Sequence, residues 1–221
     1  MFQDTLLERI MSLVPLVLSL TVHEWAHAYS AFLLGDDTAE RQGRLTLNPI
    51  VHMDPIGTFI APLMGIPFGW AKPVPFNPLR FRRGVSMRVG TMIVKAAGPL
   101  SNLVITLACA VIYGLLLRAG RLEVGSAGVS ALLRTAIVMN IALCIFNFLP
   151  IPPLDGGGVA EGLIPYRLRP VWDQYAQVSS FLLIGLVVAN AYLFQGRLFS
   201  GPIMFFFRPI QHLIATVAGV A

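Results

Sequence analysis

Residues 12–34 read SLVPLVLSLTVHEWAHAYSAFLL, an apolar run long enough to cross a lipid bilayer as a helix. Gly35 and the two aspartates that follow it are a typical helix stop. Three ionisable side chains, His23, Glu24 and His27, interrupt the run. Ionisable groups inside a membrane span are costly unless they bind something. These three residues therefore predict a functional site within a membrane helix.

The composition of the whole chain supports a membrane protein. Of the 221 residues, 56% are hydrophobic and 12% are charged, and the mean hydropathy is +0.72. An average soluble domain has about 25% charged residues, and a disordered chain is poor in apolar residues. The composition therefore excludes both classes and favours a polytopic membrane protein.

The basic balance of the chain does not point to nucleic acid. The net charge is +5 and the isoelectric point is near 9.7, values that often accompany nucleic-acid binding. The basic residues, however, lie mostly between apolar runs and form no patch interleaved with aromatic residues. We interpret them as topology signals under the positive-inside rule. The expected partner is a lipid bilayer, with no nucleic acid.

The apolar runs predict an all-α polytopic membrane protein with five to six transmembrane helices. The clearest predicted spans are residues 12–34, 89–117, 130–149 and 176–194. The tail at 203–221 is apolar but carries charge, so it can span the bilayer or lie in its interface. Residues 56–70 are apolar but broken by glycine and proline, which predicts a re-entrant segment rather than a regular span.

The distribution of basic residues predicts the orientation. If the first span runs from outside to inside, nine basic residues lie on the cytoplasmic side, namely Arg41, Arg44, Lys72, Arg80, Arg82, Arg83, Arg88, Arg167 and Arg169. Five lie outside, namely Arg9, Arg118, Arg121, Arg134 and Arg197. We therefore expect a multi-pass protein with its active site toward the cytoplasm. No organelle-targeting extension is visible, which favours a prokaryotic plasma membrane. Lys95, near a span start, is expected to reach the cytoplasmic interface.

The motif His23-Glu24-Trp25-Ala26-His27 has the spacing of a metal site on a helix. Histidines at i and i+4 lie on one helical face, so both imidazoles can reach one metal ion. Glu24 is offset by about 100° and can hold a water on that metal. Zinc lowers the pKa of a bound water to about 7, and a nearby carboxylate can transfer its proton.

A catalytic zinc ion needs a third protein ligand. The remaining candidates are imidazoles or carboxylates, namely His52, His212, Asp36, Asp37, Glu40, Asp54, Glu123, Asp155, Glu161 and Asp173. Asp155 is the best placed, because it follows an apolar span directly in a turn rich in proline and glycine. Such a turn can direct a carboxylate inward, although Asp-Gly is also a common turn pair in its own right.

Three motifs in this order give the chain a resemblance to the site-2 protease family of intramembrane zinc metalloproteases. They are His23-Glu24-x-x-His27, then Ala97-Gly98-Pro99-Leu100-Ser101-Asn102, then Asn147-x-x-Pro150 with Leu154-Asp155-Gly156. The resemblance covers about residues 14–157, the three-helix catalytic core of that family. The chain resembles a short form of the family, without a PDZ or CBS domain. We expect one membrane-embedded domain over residues 1–221, with its catalytic core at about 12–158.

The resemblance implies a role for each matching residue. His23, His27 and Asp155 would be the Zn²⁺ ligands, and Glu24 the general base and acid. Asn147 would be the polar residue beside the active site that binds substrate. The stretch 98–102 would pack against the catalytic helix, and 56–76 would be the re-entrant, β-prone region beside the active site.

The function implied is regulated intramembrane proteolysis, that is, hydrolysis of peptide bonds within or near transmembrane segments of membrane-protein substrates. A substrate helix would have to unwind into an extended strand to expose its carbonyl groups. Two alternatives stay open. A membrane metal-ion transporter would use intramembrane histidines and acids as an ion path. An inactive scaffold would keep the protease fold without the chemistry.

Overall fold

The computed structural model describes residues 6–64, 69–126, 128–194 and 197–220, and it is built of helices. Within these ranges the α-helices are α1 (Leu6–Leu33), α2 (Thr38–Arg41), α3 (Ala61–Leu63), α4 (Met87–Arg118), α5 (Val129–Asn147), α6 (Asp155–Leu163), α7 (Arg169–Tyr192) and α8 (Arg197–Ala218). Short 3₁₀ helices lie at Pro49–Val51, Pro78–Arg80 and Tyr166–Leu168, and a π-helix at Pro55–Ile60. The predicted all-α class is confirmed.

Helix α4 is the centre of the molecule, since α1, α5, α6 and α8 all pack against it. Small side chains make the close contacts possible, as in many membrane helix bundles. Ala31 of α1 is fully buried in a cluster with Val94 of α4, and Ala110 of α4 is fully buried beside Ile137 of α5. Helices α1, α4 and α5, which carry most of the motif residues, all contact one another.

Among the residues that the structure describes, three helical segments are long and apolar enough to cross a membrane by length and composition, Met87–Arg118, Val129–Asn147 and Tyr166–Asn190. They correspond to the predicted spans at 89–117, 130–149 and 176–194. Helix α1 is not among the three, and neither is α8, which covers most of the predicted apolar tail. A multi-pass membrane protein is therefore supported, whereas the number of five to six spans stays a prediction.

The broken segment after α1 has little β structure. Residues 55–63 are helical, and 65–68 lie outside the described residues, including two of the predicted helix breakers, Gly65 and Pro67. Residues 69–77 form no helix, and proline follows Lys72, Val74 and Asn77, which favours extended backbone at these three positions. In the described part of the chain the β pairing consists of one antiparallel bridge between Met53 and Ala71. The break in the apolar run is as predicted, while the re-entrant, β-prone character stays a prediction.

The extended segment 69–77 is held against the end of α1 by polar contacts. Arg44 donates from Nη2 to the carbonyl oxygen of Lys72 at 2.6 Å, and the backbone N–H of Asn77 donates to Asp36. Asp36 is almost fully buried, so its carboxylate needs such partners. These contacts fix the segment beside the face of α1 that carries the motif.

Candidate metal centre

Helix α1 presents His23 and His27 side by side on its buried face. Their ring centroids lie 4.7 Å apart in an edge-to-face arrangement, and their Nε2 atoms are 3.1 Å apart. Both side chains are buried. The i, i+4 spacing of the sequence therefore has the predicted consequence, since both imidazoles point to one place.

Asp155 joins the two histidines from the start of α6. Its Oδ2 atom lies 3.1 Å from Nε2 of His23 and 3.2 Å from Nε2 of His27. Among the described residues, these three form the single cluster of at least three His, Cys, Asp or Glu side chains close enough to share a metal ion. The fold thus brings together three residues that are up to 132 positions apart.

The outer nitrogens of the two imidazoles explain why this cluster suits a cation. Nδ1 of His23 lies 2.6 Å from Oδ1 of Asn102, and Nδ1 of His27 lies 2.6 Å from the carbonyl oxygen of Val94. Both oxygens can only accept, so each Nδ1 carries the ring proton and each Nε2 presents a lone pair. Two lone pairs and a carboxylate oxygen at 3.1–3.2 Å repel one another unless a cation lies between them. The donor set therefore fits a divalent metal.

Gly98 lets α4 approach the histidines. A Cβ atom built on Gly98 would overlap the imidazole of His27 and would also crowd that of His23. Only glycine leaves room for both rings at this contact. The stretch 98–102 thus packs against the helix that carries the motif, as the resemblance implied.

Glu24 is buried beside this cluster and is held by the extended segment. Its Oε2 atom accepts a hydrogen bond from the backbone N–H of Val74 at 2.8 Å. Glu24, His23, His27 and Asp155 line the same cavity, whose volume is about 520 Å³. The carboxylate is therefore close to the donor cluster without being part of it.

Asn147 also lines this cavity, on the wall made by α5. Its Nδ2 donates to the carbonyl oxygen of Leu143 in its own helix at 3.0 Å. The remaining wall is largely apolar and includes Leu16, Leu20, Met139, Leu143 and Phe146. Asn147 therefore supplies one of the few polar groups along this side of the cavity.

Lys95 has a partner that the sequence did not predict. Its Nζ atom lies 3.1 Å from Oδ1 of Asp155, and the side chain lines the cavity, while its reach to the interface stays a prediction. The ammonium group of Lys95 and the carboxylate of Asp155 compensate each other's charge at this contact. This contact could not be predicted from the sequence, because the two residues are 60 positions apart.

Two further residues of the site, Asn140 and Ser19, were not predicted from the sequence, and they support His23 from behind Asn102. Nδ2 of Asn102 donates to Oδ1 of Asn140, and Nδ2 of Asn140 donates to Oγ of Ser19, each at 2.8 Å. All three side chains are almost completely buried. An asparagine in an otherwise apolar helix was the available signal, because polar groups in such helices find partners on neighbouring helices.

The other acidic candidates near α1 have structural roles. Asp36 accepts hydrogen bonds from Thr38 and from the backbone of Asn77. Asp54 caps the π-helix, accepting from the backbone N–H groups of Ile56 and Gly57 at 3.0 and 2.7 Å. Neither belongs to the donor cluster. Fold and site together define a class, all-helical proteins that bury a candidate metal centre between apolar helices.

Comparison with known proteins agrees with this class. The model of peptidase family M50 matches residues 120–189. A Bacillus subtilis protein named "Putative zinc metalloprotease YwhC" is 40% identical over 177 residues, which cover 79% of this chain and 78% of that protein. A Mycolicibacterium smegmatis protein named "Putative zinc metalloprotease Rip2" is 32% identical over 66% of this chain and 54% of that protein. A Mycobacterium tuberculosis protein of the same name is 29% identical over 81% of this chain and 66% of that protein.

The chain therefore belongs to peptidase family M50. This membership confirms the predicted relationship with site-2 proteases and the predicted metalloprotease class. The expected Zn²⁺ agrees with the names of the relatives and with the His-His-Asp donor set. No solved structure matches the chain.

Proposed function

We propose that this chain is an intramembrane zinc metalloprotease that hydrolyses peptide bonds within or near transmembrane segments of membrane-protein substrates. The observation that carries the proposal is the convergence of His23, His27 and Asp155 in a cavity that Glu24 also lines. Membership in family M50 supports the reaction class. The setting among long apolar helices supports a membrane site.

His23, His27 and Asp155 hold the zinc ion, with two nitrogen ligands and one oxygen ligand. This set is typical of catalytic zinc sites, which keep a further position open for water or substrate. When bound, the ion supplies Lewis-acid chemistry, polarising the scissile carbonyl group and lowering the pKa of the attacking water. Asn102 and the carbonyl oxygen of Val94 keep both histidines in the tautomer that this binding needs.

Glu24 moves the proton. The backbone N–H of Val74 donates to Oε2 of Glu24. We therefore assign to Oε1 the transfer of a proton from the attacking water. As the carbon–nitrogen bond of the substrate breaks, the same carboxylate gives that proton to the leaving amine nitrogen. One side chain thus acts first as base and then as acid.

The substrate binds as an extended strand, because a helical segment offers no free carbonyl groups. The extended segment 69–77 lines one side of the cavity, and Asn147 lies on the wall formed by α5. The segment pairs with the substrate backbone by strand addition. Asn147 turns its amide from Leu143 toward a substrate carbonyl group.

The whole chain acts as one membrane-embedded domain over residues 1–221, with its catalytic core at about 12–158. It crosses a prokaryotic plasma membrane five to six times and opens its active site toward the cytoplasmic side. The excess of basic residues in the segments after α1 and before α7 supports this orientation.

The two alternatives have less support. A metal transporter needs successive binding sites along an ion path, whereas the described residues contain one donor cluster. An inactive scaffold has no need of Glu24, yet Glu24 and the three candidate ligands are all present and close together.

The test compares cells that produce the wild-type protein with cells that produce Glu24→Gln. Mass spectrometry of membrane-protein N-termini should find new termini inside apolar segments with the wild type and not with the variant. Purified Glu24→Gln should still contain zinc, because its ligands are intact. We expect cleavage to fall about 100- to 10,000-fold, the usual contribution of general acid–base catalysis. Zinc binding without any Glu24-dependent cleavage would contradict the proposal.

A further inference from the structure

Lys95 is placed against the candidate metal centre by contacts along its whole side chain. Nζ lies 3.1 Å from Oδ1 of Asp155 and 6.0 Å from the ring centroid of Phe76, within reach of a cation–π interaction. Its aliphatic stem lies against α6 at Gly158, where a Cβ atom would come within 2.7 Å of Cγ of Lys95. A flexible lysine is thus confined to one position.

The two oxygens of Asp155 are divided between different partners. Oδ2 lies 3.1 and 3.2 Å from the Nε2 atoms of His23 and His27, whereas Oδ1 lies 3.1 Å from Nζ of Lys95. A carboxylate can bind a metal through one oxygen or through both. Lys95 contacts Oδ1, which is the oxygen that would have to turn toward the metal if Asp155 bound it through both oxygens.

We propose that Lys95 is a positioning residue that holds Asp155 as a one-oxygen metal ligand and so keeps one coordination position open. The proposal rests on the metal site of the proposed function. A catalytic zinc site has three protein ligand atoms and an open position. If Asp155 bound through both oxygens, the second oxygen would compete for that position.

A lysine suits this role better than a neutral donor. Its ammonium group compensates the charge of the carboxylate, which would otherwise be drawn fully onto the metal in this poorly solvated place. A charged donor also makes a stronger hydrogen bond than a neutral one. Asp155 therefore keeps Oδ2 for the metal and Oδ1 for Lys95.

The geometry can be read with Co²⁺ in place of zinc, because four-coordinate Co²⁺ absorbs visible light more strongly than Co²⁺ of higher coordination. Purified protein in detergent is loaded with Co²⁺, and absorption per bound ion is measured. Lys95→Met should bind one Co²⁺ per chain with a several-fold weaker visible spectrum. Lys95→Arg, which keeps a charged donor, should retain the strong spectrum.

The chain offers a matched control, because Lys72 is the one lysine in the sequence besides Lys95. Lys72 is exposed, and its side chain does not line the cavity. Lys72→Met should leave both the Co²⁺ stoichiometry and the spectrum unchanged. If Lys95→Met does not fold, as judged by circular dichroism, Gly158→Ala takes its place, since the added methyl group pushes the lysine stem from its position.

Each outcome has one meaning. A weak spectrum in Lys95→Met, or in Gly158→Ala, with a strong one in Lys95→Arg supports the proposal. A wild-type spectrum in Lys95→Met overturns the role of Lys95 and leaves the metal site intact. A wild-type protein that binds no Co²⁺ overturns the metal site itself, and with it the proposed function.

Discussion

Asn140 serves the candidate metal centre without touching it. It accepts from Asn102 and donates to Ser19 and to the carbonyl oxygen of Ala136, which fixes the direction of its amide. That direction forces Nδ2 of Asn102 toward Asn140 and Oδ1 toward His23. The position of the proton on the imidazole of His23, in α1, therefore depends on Asn140 in α5.

We predict that Asn140→Ala lowers zinc affinity about 10- to 100-fold, the usual effect of losing a hydrogen bond that supports a metal ligand. Nδ2 of Asn102 also loses its partner, which should cost about 1–3 kcal/mol of stability. Competition with a chelator measures the first effect, and unfolding in detergent the second.

Asn190→Ala is the control for this prediction. Asn190 is also buried, but it accepts from the backbone of Leu198 between α7 and α8, away from the metal centre. Its loss should reduce stability and leave zinc affinity unchanged. Equal zinc affinities in the two variants would remove Asn140 from the support of His23.

The assignment of the third ligand makes a second prediction at this scale. Asp155→Ala should lose most of its zinc and its cleavage activity, because two neutral imidazoles leave the charge of the ion uncompensated. Asp54→Ala should keep its zinc and lose a cap worth about 0.5–2 kcal/mol. Zinc per chain, measured by elemental analysis, decides between them, and the reverse pattern would overturn the assignment.

Among the elements, α4 makes a close contact with α1 at Gly98. We predict that Gly98→Ala destabilises the protein by about 1–3 kcal/mol, the usual cost of overpacking, because the methyl group meets both imidazoles. It should also weaken zinc binding by displacing those rings. Unfolding in detergent and zinc affinity give the two readouts.

Gly185 offers the matched substitution, since a Cβ atom built there has open space around it. Gly185→Ala lies within helix α7 and should be neutral or stabilising by up to about 1 kcal/mol, because alanine favours helix. If both variants lost stability equally, the close approach of α4 to α1 would not be the reason for Gly98.

The long helices could be predicted closely from the sequence, because apolar runs in a membrane protein have few other solutions. The expected span at 89–117 is α4 (Met87–Arg118), and that at 130–149 is α5 (Val129–Asn147). The expected span at 176–194 begins earlier, at Arg169 in α7, since its first turns are polar. The apolar run therefore predicted the apolar part of this helix and not its first residues.

The histidine pair could also be predicted, because its two members share one helix and their spacing fixes their geometry. The partners of the pair could not be predicted in the same way. Val74 and Glu24 are 50 positions apart, and Lys95 and Asp155 are 60 apart. Such contacts depend on how the elements pack, which no local pattern encodes.

For the whole molecule, α6 bears on the topology. Its nine residues span only about 14 Å, less than half of a hydrocarbon core of about 30 Å. Among the described residues between 82 and 169, the helices long and apolar enough to cross the bilayer are therefore α4 and α5. Two crossings would return the chain to the side from which it started.

We predict that single cysteines near Arg82 and Arg169 react with a membrane-impermeant reagent from the cytoplasmic face, and one near Gly120 from the outside. Cys109 and Cys144 are first replaced by serine, since both are free thiols. Labelling of closed vesicles of known orientation gives the result. Reaction of positions 82 and 169 from opposite faces would overturn the proposed arrangement.

The hydrogen bond from Val74 to Glu24 restricts how the chain can change in evolution. Val74 stands between Pro73 and Pro75, and proline has no backbone N–H to donate. Upstream of Val74, the segment is fixed by a hydrogen bond from the backbone N–H of Lys72 to the carbonyl oxygen of His52. Deletion of Pro73, or insertion of one residue between Lys72 and Pro73, would set a proline nitrogen opposite Glu24. The segment can thus exchange side chains more readily than it can change its length.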